Sequence, residues 1–451
     1  MDRITVDFTK HAGPVRPLHG VNSGPRTYCF YRNESDAFRD AGIPLCRLHD
    51  TEYPYGSGAF VDIPCIFRNF DADADDPASY DFSQTDAYIQ AILDVGAKPL
   101  YRLGVSIEHS PVPRNIFAPK DPVKWAAICE HIIAHYNEGW AGGMKAGIEY
   151  WEIWNEPESQ KMWIGTREQF FELYAVTSKR LKARFPDIKI GGYASCGFYG
   201  ISVVIPEGQE PTEDQKRRRR LVDYAEAFMA MCRDQKLPLD FFSWHIYGTD
   251  PDVYAAHARY VRELLDRYGY EKTENVLDEW NLGGGAVLFA KMPTPEGAAH
   301  AAAVMCSLQA AGIHAATYYD AQPAMPYCGI FYQNTGGVTP TYYPFKYWNA
   351  LYRAGTAAET AAEGERLYAA AACGADGKKY VLVSHYAPSD TLLFLDLTLD
   401  ADARYTVRAV DAAHTDGVIA SGRVRAGNPR IRWIATGWSA FLVELEAVPQ
   451  A

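Results

Sequence analysis

The stretch Ile148-Glu149-Tyr150-Trp151-Glu152-Ile153-Trp154-Asn155-Glu156-Pro157 decides how this chain is read. A run of strand length rises to an amide, a carboxylate and then a proline, which has no N–H to continue a ladder. A helical pattern over residues 125–136 precedes it, and another over residues 170–185, closed by Pro186, follows it. This is one strand-then-helix unit, and the unit recurs. Apolar runs fall at residues 18–22, 44–49, 98–104, 148–155, 188–193, Phe241–Tyr247, 275–280 and 315–319. Between the second and third, Tyr88, Ile89, Ile92, Leu93 and Val95 share one helical face, and Gly96 stands where a helix-ending glycine belongs.

Eight such units predict an α/β fold, a (β/α)8 TIM barrel. A doubly wound open sheet is the rival. Its Gly-rich phosphate turn is missing, because the first turn reads Gly20-Val21-Asn22-Ser23-Gly24-Pro25. Past residue 353 the texture changes to short alternating runs at 380–383, 392–399, 405–410, 431–434 and 439–445. These predict an accessory antiparallel β-sandwich domain. Ile4, Val6 and Phe8 alternate in the same way, so the N-terminal strand is expected to add an edge to it. The expected division is 1–16 for that strand, 17–352 for the barrel and 353–451 for the sandwich.

Composition narrows the class. Hydrophobic residues at 48% and charged residues at 22% exclude a disordered chain. A net charge of −12 argues against nucleic acid as a partner. The basic run Lys216-Arg217-Arg218-Arg219-Arg220 lacks interleaved aromatics and follows Glu213 and Asp214, so it is read as surface leading into a helix. No apolar run approaches the roughly 20 residues of a membrane span. Met1-Asp2-Arg3-Ile4 opens no signal core, and no pair among the nine cysteines has C-x-x-C spacing. The expectation is a cytoplasmic protein with reduced thiols. A homo-oligomer is left open as a partner state.

In a barrel, reactive groups sit at the C-terminal strand ends. The fourth strand ends on Asn155 and Glu156, and the seventh on Asp278, Glu279 and Trp280. Strands four and seven face each other across the axis. Two opposed carboxylates are what glycoside hydrolysis needs, one to protonate the leaving oxygen and one to attack or to activate water. Burial would suit Glu156 to the acid role. Taken alone, Asn-Glu-Pro is too short to tell a catalytic acid from a helix-cap carboxylate. The sixth strand puts His245 and Tyr247 on one face, with Tyr247 placed to donate to Glu279. Glu152 shares the face of Trp154 and Glu156, and its buried charge should pair with Arg47 or Arg102. Trp154, Trp244, Tyr247, Trp280 and Tyr319 all lie at strand ends, where a sugar would stack.

These motifs resemble the clan A (4/7) glycoside hydrolases and, more narrowly, glycoside hydrolase family 39, best known for β-xylosidases and α-L-iduronidases. The resemblance rests on Pro17-Leu18-His19-Gly20-Val21-Asn22-Ser23-Gly24-Pro25, on the stretch from Glu152 to Glu156, on Phe242-Ser243-Trp244-His245-Ile246-Tyr247, and on Thr341-Tyr342-Tyr343-Pro344-Phe345-Lys346-Tyr347-Trp348. It implies Glu156 as acid/base, Glu279 as nucleophile and net retention. It further implies that Asn155 meets the sugar 2-hydroxyl and that His49, His245 and Tyr247 line the terminal-sugar subsite. Glu108, Trp280, Tyr319 and Asp320 complete the expected substrate contacts. The loop Ser106-Ile107-Glu108-His109 and the stretch Thr317-Tyr318-Tyr319-Asp320-Ala321-Gln322-Pro323 depart from the family's xylosidases. The sugar therefore stays open among xyloside, arabinoside, galactoside and glucoside.

The reading that follows is an exo-acting retaining glycosidase that needs no cofactor and no metal and acts on a terminal pentoside-type sugar such as a β-xyloside, with the other glycosides as the alternative. A silent sugar-binding barrel is the rival from another class, and two opposed glutamates argue against it. His131 and His135 have i,i+4 spacing without the Glu of a metallohydrolase, and no G-x-S-x-G is present.

Overall fold

The structure is a computed structural model that describes residues 2–26, 33–49, 60–105, 115–283, 285–323, 328–333 and 335–448. Strand β1 (Asp2–Pro14) comes first. A closed barrel of eight strands follows: β2 (Gly20–Asn22), β3 (Leu45–Arg47), β4 (Lys98–Leu103), β5 (Tyr150–Ile153), β6 (Lys189–Ser195), β7 (Phe241–Tyr247), β8 (Glu274–Asn281) and β9 (Ala315–Tyr318). All neighbours pair in parallel, and β9 closes on β2 through Gly20 and Val21. Helices run between these strands, so both strand faces are covered. That is why β7 and β8 read as buried almost throughout.

The connecting helices carry their own start signals. Thr166 and Gln169 form a reciprocal capping box at the head of helix Arg167–Arg184, and Thr212 and Gln215 do the same for helix Glu213–Gln235. The basic run Lys216-Arg217-Arg218-Arg219-Arg220 thus lies within the first turns of that helix, not in a loop before it. His135 is a bridge in the fold, with Nδ1 2.8 Å from the Trp140 carbonyl and Nε2 2.9 Å from Asp86.

The remaining strands are β10 (Thr356–Glu363), β11 (Leu367–Cys373), β12 (Lys379–His385), β13 (Thr391–Thr398), β14 (Ala403–Val410), β15 (Thr415–Val424), β16 (Arg430–Ala435) and β17 (Ser439–Ala447). With β1 they form one nine-stranded sheet in the order β15-β14-β17-β12-β11-β10-β1-β13-β16. Strands from both halves of that order feed one apolar core, including Val407 of β14 and Trp433 of β16. The N-terminal strand is not an edge, as alternation alone led us to expect. It lies inside the sheet, antiparallel to β10 and parallel to β13, with Ile4 opposite both Ala362 and Leu395. A strand supplied from the far end of the chain can pair on both sides, and here its buried Ile4, Val6 and Phe8 complete the core.

This sheet packs on the barrel through small residues. Along β12, Val381 and Val383 face the sheet's own core, while Leu382 faces the barrel's helices. Ser384 Oγ donates to the Ala299 carbonyl at 2.6 Å in the alanine-rich helix Pro295–Gln309, whose short side chains permit that approach. The eight cysteines among the described residues are free thiols. No helix among the described residues is long and apolar enough to cross a membrane.

Candidate active site

The C-terminal ends of β2, β5 and β8 converge on one guanidinium at the end of β3. Arg47, at the end of β3, is fully buried. Its Nε donates to Glu152 Oε2 at 2.8 Å, Nη1 to Glu279 Oε1 at 2.7 Å and to Asn22 Oδ1 at 3.1 Å, and Nη2 to Asn155 Oδ1 at 2.7 Å. Nε also lies 2.9 Å from Asp278 Oδ2. The expected pairing of Glu152 is therefore made by Arg47, while Arg102 pairs with Asp62 at 2.7 Å. A rigid planar fork suits such a cluster better than a point charge would.

Backbone irregularity brings the carboxylates together. Trp154 and Glu156 both have positive φ, +73° and +45°, a conformation that costs an ordinary residue about 1–3 kcal/mol. The consequence is a break in alternation after Ile153. Glu152 and Asn155 both reach Arg47, while the Trp154 ring leaves the barrel axis and packs 4.9 Å from Trp163. Glu156 is pinned by its N–H to the Ala194 carbonyl at 3.0 Å. In β8 the register against β7 slips between Trp244/Leu277 and His245/Glu279, leaving Asp278 as an extra residue. This bulge lets consecutive acids face the same side.

Glu279 is surrounded by donors. Besides Arg47, His49 Nε2 is 2.9 Å from its Oε1, and the Tyr247 hydroxyl donates to its Oε2. His245 Nδ1 lies 2.8 Å from Glu156 Oε1 and 3.3 Å from Glu279 Oε2, and Nε2 lies 3.6 Å from Asp278. Oxygens of Glu156 and Glu279 and a nitrogen of His245 are all within 4.8 Å of one another. Burial alone would raise the Glu279 carboxyl, but His245, His49 and Arg47 hold it well below its ordinary value. Burial likewise opposes charge on His245, yet Glu279 and Asp278 keep its pKa well above the usual value. Such a trio can be read as metal ligands. Here the oxygens of Glu279 already accept from a guanidinium and a phenol, and a cation would meet Arg47 and a protonated His245.

Burial pushes Glu152 up to about 8, against the pull of Arg47 and with the help of Asp278. Asp278 itself is held below its ordinary value, since Arg47 and His245 outweigh its burial. The buried cluster balances when Glu152 keeps its proton: Arg47 and His245 face Asp278 and Glu279.

Of the residues anticipated from sequence, Asn155, Glu156, His49, His245, Tyr247 and Glu279 meet in this cluster. Tyr319 joins them at its rim, with ring centroids 5.3 Å from His49 and 6.3 Å from Tyr247. Asp320 is fully buried beyond β9, its Oδ1 accepting from Gln322 N at 3.1 Å. Glu108 lies outside the described residues. Trp280 corrects the expectation: its ring is buried among Tyr254, Tyr318 and Phe345, because the bulge turns Glu279 inward and its neighbour outward. Trp244 and Trp154 are likewise core rings, their indole N–H groups donating to Asn275 Oδ1 at 2.7 Å and the Met162 carbonyl at 3.0 Å. Strand ends flanked by helices on one side offer tryptophan a dry pocket there. Arg47 as the hub and Asp278 as its second anion were missed as site residues. A charged residue in the middle of the apolar run Leu45-Cys46-Arg47-Leu48 was the signal for the first.

Comparison with known proteins gives a consistent picture. A β-xylosidase of Geobacillus stearothermophilus is 23% identical over 248 residues, 51% of this chain and 42% of the relative. A β-xylosidase of Caldicellulosiruptor saccharolyticus is 27% identical over 263 residues, 55% of this chain and 46% of the relative. The matches thus span under half the length of these relatives. Among solved structures, a glucosidase from Croceicoccus marinus superposes with a TM-score of 0.80 at 23% identity, covering 100% of this chain and 99% of that one. A monomeric β-xylosidase from Caulobacter crescentus CB15 superposes with a TM-score of 0.70 at 18% identity, covering 100% of both chains. Both share the fold. The sequence model of glycosyl hydrolases family 39 matches residues 6–280, which run from β1 through Glu279, and the chain belongs to that family.

Proposed function

We propose that the protein is a retaining, exo-acting glycoside hydrolase on a terminal pentoside-type sugar, a β-xyloside foremost, with Glu156 as acid/base and Glu279 as nucleophile. The observation that carries this reading is the pair of carboxylates whose oxygens approach within 4.8 Å. Retaining enzymes hold theirs about 5–5.5 Å apart, and inverting ones about 6.5–9.5 Å to admit a water. The unequal surroundings support the division of roles. Glu279, ionised among donors, attacks the anomeric carbon. The bond to the leaving oxygen breaks, and that oxygen takes the proton of Glu156. A water then attacks the glycosyl ester, giving its proton to Glu156 and releasing Glu279. With Asn155 Oδ1 committed to Arg47, its NH2 group is left for a sugar hydroxyl. The relatives named β-xylosidases support the xyloside.

A panel of aryl xyloside, arabinosides, galactoside and glucoside, with NMR of the first-formed anomer, tests the reading. Retention on the xyloside and no turnover by Glu279→Ala are expected. An inverted product, or activity surviving in Glu279→Ala, overturns it. No turnover of any member would favour a silent binding barrel.

A further inference from the structure

The arginine run, unused by the chemistry above, borders the site. Loop residues just past Glu156, the β6 loop and the first turns of helix Glu213–Gln235 enclose a cleft of about 1010 Å³. Its walls include Glu158, Cys196, Arg167, Arg217, Arg218 and Arg220. Helix and loop are pressed together: a Cβ on Gly200 would lie 2.5 Å from the Arg218 carbonyl oxygen. The cleft is also tied to the reacting groups. Glu158 Oε1 accepts from Ser195 Oγ at 2.7 Å and Cys196 N at 3.3 Å, and Tyr199, another wall residue, accepts the Tyr247 N–H at 3.0 Å.

The charge of this cleft is opposite to that of the molecule. Four guanidinium groups face the carboxyls of Asp223 and Glu158 in a chain of net charge −12. Arg167 is paired with Glu168 at 3.0 Å, while Arg217 and Arg218 share a single carboxylate, Asp214, at 2.6 Å each, which neutralises one of them at most. Arg220 makes no close ion pair among the described residues and acts on Glu213 only at a distance. Burial pushes the Glu158 carboxyl up to about 7, against its bond from Ser195, which lessens the negative charge opposing an anion. A concave wall of one sign concentrates ligands of the other. Position defines what that ligand is. The group that protonates a leaving oxygen must stand on the leaving group's side, and this cleft opens from the loop that carries Glu156.

We propose that the cleft is a leaving-group subsite for an oxyanion, so that the preferred substrate is a glycoside whose aglycone carries a carboxylate, such as a uronic acid. The proposal rests on the assignment of Glu156 as acid/base. Arginine forks match carboxylate and sulfate oxygens in pairs.

The test uses two aryl xylosides matched in leaving-group acidity, one with a ring carboxylate and one without, on the wild type and on R217Q/R218Q/R220Q. The wild type should favour the acidic substrate in kcat/KM. The triple variant should lose about tenfold on it and nothing on the neutral one. The preference should also vanish near 1 M salt, where the Debye length falls to about 3 Å. No preference in the wild type, or a preference that neither salt nor the variant alters, overturns the proposal. Should neither xyloside be cleaved, the hydrolytic reading has failed separately, and calorimetric titration decides the cleft. Glucuronate and glucose 6-sulfate are compared with glucose. Binding of either anion that the triple variant loses supports the subsite, glucuronate alone marking a carboxylate reader. No anion binding overturns it.

Discussion

Asp278 and Glu279 are consecutive in β8, yet both carboxylates touch Arg47, at 2.9 and 2.7 Å. Regular alternation would send one of them to the opposite face. The bulge at Asp278 sends both inward, and a second consequence follows for Trp280, which is turned out into the helical layer. Arg47 is thereby the common hydrogen-bond partner of Glu152, Asp278 and Glu279, and a counter-ion of the last two. Replacing it with Lys keeps the charge and loses the fork. We expect Arg47→Lys to lower the melting temperature and to reduce kcat/KM about a hundredfold, since partly unpaired buried carboxylates cost several kcal/mol. Thermal unfolding and aryl-glycoside kinetics read both. Unchanged stability would mean that the fork is not what holds the cluster.

The proton on Glu152 has a pH signature. Its pKa rises from 4.5 in the unfolded chain to about 8 in the fold. The native state therefore holds a proton that the unfolded chain has released between those values. The stability it contributes is complete below pH 4.5 and is lost as pH climbs to about 8. Glu158, raised to about 7, adds a loss of the same sign. Glu152→Gln mimics the protonated acid without titrating. Its melting temperature should fall less than that of the wild type across this range, whereas Glu152→Ala should be destabilised throughout. Parallel curves for wild type and Glu152→Gln would show that Glu152 is ionised in the fold.

Much of this was legible in the sequence, and the failures share a cause. The eight barrel strands fall within a few residues of their expected runs, because loops between strand and helix are polar and proline-marked. That Glu152 would meet an arginine, Arg47 or Arg102, was legible because an acid inside an apolar run must find a partner; which of the two was not. What alternation did not reveal was facing at the strand ends. Parallel barrel strands are buried on both sides, so Trp154, Trp244 and Trp280 carry no polarity contrast to reveal their direction. Positive φ at Trp154 and Glu156 and the extra residue at Asp278 leave no mark in composition. The interior position of β1 was hidden for another reason, since alternation reports a face and says nothing of neighbours.

Leaving-group chemistry separates the two glutamates. A general acid matters most when the departing oxygen is basic. Glu156→Ala should therefore lose about a hundredfold or more on an alkyl or disaccharide substrate and far less on a nitrophenyl glycoside, whose departure needs little protonation. Equal losses on both would remove Glu156 from the acid role.

Tyr247 offers the sharpest pH test of the nucleophile. Its hydroxyl donates to Glu279, and burial together with that anion raises the phenol well above its ordinary value. The interaction is reciprocal, so the same bond stabilises the ionised form of Glu279. Removing it should raise the Glu279 pKa and move the acid limb of kcat/KM toward higher pH. A hydrogen bond to a charged group is worth about 1.5–3 kcal/mol, so the shift in Tyr247→Phe should be about one pH unit or somewhat more. The ring is retained, so its edge contact with Tyr319 survives and binding should change less than the limb does. An acid limb that stays in place, with activity reduced uniformly across pH, would assign Tyr247 to sugar binding and not to the charge of Glu279.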